Sequence, residues 1–127
     1  MLPLNFVLWI LFWHWVADFV FQTNYMAQNK SKSWKVLLQH VATYSCVLNV
    51  GLCLVYRGEH GLWFNSVVTA NFFCLNFICH FVTDAVTSRI TRRLWEAKQV
   101  HRFFVVIGLD QFIHFATLLY TAQRVLF

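Results

Sequence analysis

Charge is what this sequence has least of. Asp, Glu, Lys and Arg make up 12% of its 127 residues, against 59% hydrophobic and 19% aromatic. A small soluble domain covers itself with about a quarter charged residues, so a water-facing globular surface is excluded, as are disorder and a fibrous repeat. From Phe64 to Phe81 there is no Asp, Glu, Lys or Arg at all. The four cysteines, Cys46, Cys53, Cys74 and Cys79, lack CxxC spacing. That argues against a zinc knuckle or a disulfide scaffold and leaves them as small packing residues. The first apolar run has no preceding Lys or Arg and no small-x-small site, and it carries Asp18. It is therefore expected to stay in the mature chain, not to be cleaved as a signal peptide.

What the chain does have is length of apolar run. A helix crossing a bilayer needs about 20 mainly apolar residues. Four such runs are predicted, over residues 4–23, 34–56, 62–88 and 102–126, the third able to continue as an amphipathic helix through Trp95. The expected fold is a single all-α domain over residues 1–127, an integral membrane four-helix bundle, multi-pass in the cell inner membrane. The basic residues orient it: Lys30, Lys32, Lys35, Arg89, Arg92, Arg93, Lys98 and Arg102 fall in the first and third connections, and only Arg57 and Arg124 on the other side. The positive-inside rule then puts those connections in the cytoplasm and both termini outside. Topology accounts for the basic bias without nucleic-acid binding.

The five acids carry the chemistry. Glu59 and Glu96 lie in connections, whereas Asp18, Asp84 and Asp110 lie inside the runs. An ionised Asp near a bilayer centre costs on the order of 3 kcal/mol, so each needs a partner. Each has a histidine four residues away: His14 before Asp18, His80 before Asp84, His114 after Asp110. Residues four apart share a helix face. The reversal in the last pair compensates for the opposite run of the fourth helix, so every helix presents its carboxylate toward the cytoplasm and its imidazole about 5.4 Å deeper. His40 falls at a similar depth. The segments starting at His14 and His80 also match weakly, which suggests two repeated helix pairs related by an axis along the membrane normal.

Imidazole and carboxylate without thiolate suit a divalent metal, Zn first, with Mn or Fe as alternatives, as one or two ions. The expected ligands are His14, Asp18, His40, His80, Asp84, Asp110 and His114. Asp18, Asp84 and Asp110 are also the candidate catalytic groups, since an unligated carboxylate serves as general base. His101, Gln111, Gln22 and Arg89 are expected at the entrance or behind the ligands, His60 in solvent on the outer connection, and the basic rim against a phosphate or anionic lipid. These observations favour a metal-dependent hydrolase acting on a lipid or phosphate ester from the cytoplasmic interface. The competing readings are a non-catalytic binding or scaffold protein with structural His-Asp pairs, an ion or proton conductor, and a haem-linked electron carrier. Self-association is left open.

The segments from His14 to Thr23, Met26 to Lys32, His80 to Asp84 and His101 to His114, with His40, resemble a family of small bacterial and phage membrane proteins known as domain of unknown function 3307. That resemblance spans nearly the whole chain and implies a membrane protein, with a phage role in altering the host membrane as one expectation. A shorter likeness, His80-x-x-x-Asp84-x-x-Thr87-Ser88, is similar to inner-membrane proteins described as metal-dependent hydrolases and implies that activity.

Overall fold

The computed structural model describes residues 2–59 and 66–126, all helix and short turns. His60 and Leu62, assigned above to the outer connection and the start of the third run, lie outside the described residues. In chain order the elements are α1 (Leu4–Trp15), a π-helical segment (Val16–Val20), α2 (Asn24–Asn29), α3 (Trp34–Glu59), α4 (Ser66–Glu96) and α5 (Val100–Val125). Three of these, α3, α4 and α5, are long and apolar enough to cross a membrane, while the apolar stretch Leu4–Val20 is shorter. Leu8, Phe12, Ile78, Phe104 and Phe112 stand exposed on the outside of the bundle, as a lipid-facing surface requires.

Two boundaries, the end of the first run and the start of the fourth, differ from the sequence expectation, and the third run takes the longer course allowed for it. The first run does not continue as one α-helix to residue 23. At Val16–Val20 it widens into a π turn, closed by Phe21 N–H donating to Val16 O at 3.0 Å. After Phe21 the chain turns, and Thr23 caps α2 by accepting from Met26 N–H at 3.2 Å. The third run carries on past Ser88 to Glu96 as one helix, and α5 begins at Val100, two residues earlier than residue 102. Between them Lys98 adopts φ 57°, and Gln99 N–H reaches Leu94 O while Lys98 N–H reaches Trp95 O. This is the Schellman closure, in which a left-handed residue satisfies the last carbonyls of a helix.

The apolar core occupies the half of the bundle where the N-terminal part of α1 meets α3, α4 and α5. It holds Phe6, Ile10, Tyr44, Leu48, Leu52, Phe72, Leu118 and Ala122. Gly51 lets α1 approach α3: a Cβ there would stand 2.2 Å from the Trp13 ring. Trp9 Nε1 fixes the same crossing by donating to Gly51 O at 2.9 Å. Across α4 and α5, Asn76 Nδ2 donates to Thr121 Oγ1 at 3.1 Å, a buried polar tie of the kind that joins membrane helices. The cysteines do not pack in this core. Cys46, Cys53 and Cys74 are exposed on the outer faces, where a small thiol contributes nothing to interhelical packing.

Candidate metal centre

All seven residues expected as ligands are buried, but among the described residues only Asp18, His40, His80, Asp84 and His114 fall into groups of three convergent donors; His14 and Asp110 lie beside them. His14 comes from α1, Asp18 from the π segment, His40 from α3, His80 and Asp84 from α4, Asp110 and His114 from α5. The four-residue pairs survive as secondary contacts: His14 Nε2 to Asp18 Oδ2 at 3.9 Å, His80 Nε2 to Asp84 Oδ2 at 3.6 Å, His114 Nε2 to Asp110 Oδ1 at 3.5 Å. The closer contacts run between helices. His40 Nε2 lies 3.1 Å from Asp18 Oδ1 and 3.2 Å from Asp84 Oδ2, and His114 Nε2 lies 3.2 Å from Asp84 Oδ1. The wider π turn carries Asp18 away from His14 and toward α3, and such turns are frequent at functional sites.

Two groups of three donors converge. Asp18, His40 and His80 form one, His80, Asp84 and His114 the other, each with ligand atoms within 4.8 Å of one another. In the first, His80 Nε2 lies 3.2 Å from His40 Nε2 and 3.5 Å from Asp18 Oδ1. Donors about 2.0–2.1 Å from a tetrahedral ion stand about 3.3–3.5 Å apart, so this spacing suits one. Buried His and Asp here could hold a metal ion. His80 is common to both groups, and Asp84, a member of the second, points Oδ2 toward His40 and His80 and Oδ1 toward His114.

Ring packing sets the imidazole planes. Tyr44 stacks on His80 at 3.8 Å between centroids, and His80 on His114 at 4.1 Å. Tyr44 also bonds His14 Nδ1 through its hydroxyl at 3.0 Å. Gln111 binds the remaining ends: its Oε1 meets His14 Nε2 at 3.2 Å, and its Nε2 donates to Asp18 Oδ2 at 3.3 Å and Asp110 Oδ2 at 3.2 Å. Thr87 Oγ1 donates to Asp110 Oδ1 at 2.5 Å. Among the described residues the Nδ1 atoms of His40 and His80 have no hydrogen-bond partner.

A cavity of about 750 Å³ opens against this cluster. Asp18, Asp84 and Asp110 line it and none of the histidines does, so the carboxylates face the opening and the imidazoles stand behind them. Gln22 and Gln111 line the cavity too. Arg89 does not: its guanidinium lies 4.0 Å over the Trp34 ring and donates to Ala85 O. His101 sits exposed in the first turn of α5, beside Lys98 and Arg102 and apart from the cluster.

Lys30 has a role that its place in a basic run concealed. Its Nζ donates to Asp84 Oδ2 at 2.7 Å and stands 3.3 Å from His40 Nε2. Burial would lower its pKa, but the carboxylates of Asp84 and Asp18 outweigh that and hold it above its ordinary value. The signal available in the sequence was position alone: Lys30 stands at the C-terminal cap of α2, nine residues after Phe21, where the chain turns.

No curated protein and no solved structure matches the chain significantly. Residues 6–126, which contain every one of these buried His and Asp residues, match the family described as Protein of unknown function (DUF3307), and the chain belongs to that family.

Proposed function

We propose that the chain is a membrane-embedded metal-binding protein acting as a metal-dependent hydrolase on a lipid or phosphate ester, with the cavity opening at the cytoplasmic interface. The observation that carries this reading is the convergence of Asp18 Oδ1, His40 Nε2, His80 Nε2 and Asp84 Oδ2, with five of their mutual distances between 3.1 and 3.6 Å. The donor set favours zinc, with manganese and iron as alternatives. The two groups share His80, and Asp84 presents one oxygen to His40 and the other to His114, so the set would hold one ion, or two bridged by that carboxylate. A divalent ion held there would polarise a phosphoryl or carbonyl oxygen and acidify water.

The remaining roles belong to the chain itself. Asp110 faces the cavity, and its carboxylate is fixed by Thr87 and Gln111. It is the group placed to take a proton from water. Gln111 orients Asp18 and His14 together, and the Tyr44, His80 and His114 stack keeps the imidazole planes from turning. The basic residues on the cavity side support the cytoplasmic orientation.

Elemental analysis of the detergent-purified protein tests the metal: a stoichiometric divalent ion is expected, and its absence from well-folded protein overturns the reading. Hydrolysis is tested with a panel of phosphate esters. Asp110→Asn is expected to lower turnover about 10²–10⁴-fold with metal content unchanged, the usual contribution of a general base. Full activity in that variant would remove Asp110 from the role.

A further inference from the structure

The cavity beside the metal centre has walls of two kinds. On one side, from the turn after α2 and from α4, stand Lys32, Ser88 and Arg92. On the other stand Phe19, Phe103 and Phe104. Phe19 and Phe104 are also exposed on the outside of the bundle, so the apolar wall continues onto the surface that meets lipid. The volume lies within the range of small-ligand pockets.

The polar wall is incomplete. Gln22 Oε1, Ser88 Oγ and Arg92 Nε are buried and without hydrogen-bond partners among the described residues, and all three residues line this cavity. Leaving such groups unpaired costs more than a formed bond returns. Arg92 Nη1 holds Ser31 O at 3.3 Å, which anchors the guanidinium to the turn after α2. Its Nε stands 3.6 Å from Glu96 Oε1, too far for a hydrogen bond. Glu96 itself is 64% exposed at the rim, well hydrated and a weak competitor for an anion. The set offers a guanidinium, an ammonium, a hydroxyl and one amide acceptor. That is the complement of a phosphate with a neighbouring donor, and an arginine fork suits phosphate oxygens especially.

We propose that this cavity is the headgroup site of a phosphate-bearing membrane lipid, its phosphate held by Arg92, Lys32 and Ser88 and its acyl chain leaving along Phe103 and Phe104. The inference rests on the metal reading, because the three aspartates at the inner end would repel a phosphate unless a divalent ion offset them. It narrows the substrate from any ester to an anionic amphiphile that enters sideways from the bilayer.

The test uses the full chain, purified in neutral detergent and loaded with Zn²⁺, with zinc content measured alongside binding. Dioleoyl phosphatidic acid in mixed micelles is the probe, with dioleoyl phosphatidylcholine, glycerol 3-phosphate and inorganic phosphate as the other arms. Phosphatidic acid is expected to bind at least about tenfold more tightly than each of them, and Arg92→Gln to weaken it about tenfold at unchanged zinc content, as the loss of a charged hydrogen bond implies. Lys32→Gln, at an exposed position that threatens no packing, is expected to weaken it several-fold and carries the test if Arg92→Gln does not fold. Glycerol 3-phosphate binding as tightly as the lipid would overturn the lipid assignment in favour of a soluble ester. Undiminished binding by Lys32→Gln, or no phosphate binding at full zinc content, would overturn the site alone. Zinc-free wild-type protein would overturn the metal reading and this one together.

Discussion

In the half of the bundle away from the cavity, Phe6, Ile10, Leu48, Leu52, Phe72 and Leu118 fill the space between helices, and two short ties, Trp9 to Gly51 and Asn76 to Thr121, set the crossings. In the half that faces the cavity, the same helices bring Asp18, Asp84 and Asp110 to an opening, linked through Lys30, Gln111 and Thr87. The first half satisfies itself by packing. The second keeps carboxylates together at the cost of mutual repulsion, which packing alone cannot repay. The contrast teaches that the apolar half holds the helices and the polar half holds carboxylates against Lys30 and the histidines, where a metal ion could also be held.

That division can be broken from either side. Leu48→Ala removes a side chain that is 1% exposed and is expected to destabilise the fold by about 2–5 kcal/mol while leaving metal content per folded molecule unchanged. Thermal unfolding and elemental analysis on one preparation check both halves of that statement. Asp84→Asn should do the reverse, weakening divalent-metal affinity by about 100-fold or more, since even partners behind a ligand are worth about 10–100-fold. Isothermal titration measures it, and unchanged helix content by circular dichroism shows that the apolar half persists.

These outcomes turn on how much of the molecule the residues themselves announce. The long apolar helices and the three Asp positions were legible, because bilayer thickness and the cost of intramembrane charge act on every sequence alike. The interhelical exchange of partners was not. Spacing reveals which residues share a face, but not which neighbouring face they meet, so His40 as the closest partner of Asp18 had no sequence signature. Lys30 was hidden by its company, one of several cations near the membrane surface. Gln111 was visible only as a neighbour of Asp110, whereas it spans His14, Asp18 and Asp110. Gly51 gave no signal because its function is an absent Cβ beside Trp13.

Smaller changes sharpen the boundary between the halves. Lys30→Gln removes the ammonium that sits against Asp84 and His40 and is expected to tighten divalent-metal binding about tenfold, by removing a competing cation worth about 1.4 kcal/mol. Weaker binding in that variant would show that Lys30 supports the ligands more than it competes for them. Lys98→Gly, in the turn between α4 and α5, relieves a left-handed residue and should stabilise the protein by about 1 kcal/mol, read as a rise in melting temperature with metal affinity unaltered.

The π turn at Val16–Val20 makes the first apolar run count in two phases. Up to Trp15 the chain presents one set of side chains to the core, and beyond Val20 the angular sequence has slipped by most of a residue. Insertions and deletions here are therefore not neutral adjustments of length. Removing Val16 or Ala17 would restore the ordinary helical rise, swing Asp18 by about 100° around the axis and withdraw it from His40, although every buried His and Asp remained in the chain. The centre is thus encoded by a hydrogen-bond closure between Val16 and Phe21 as much as by any histidine.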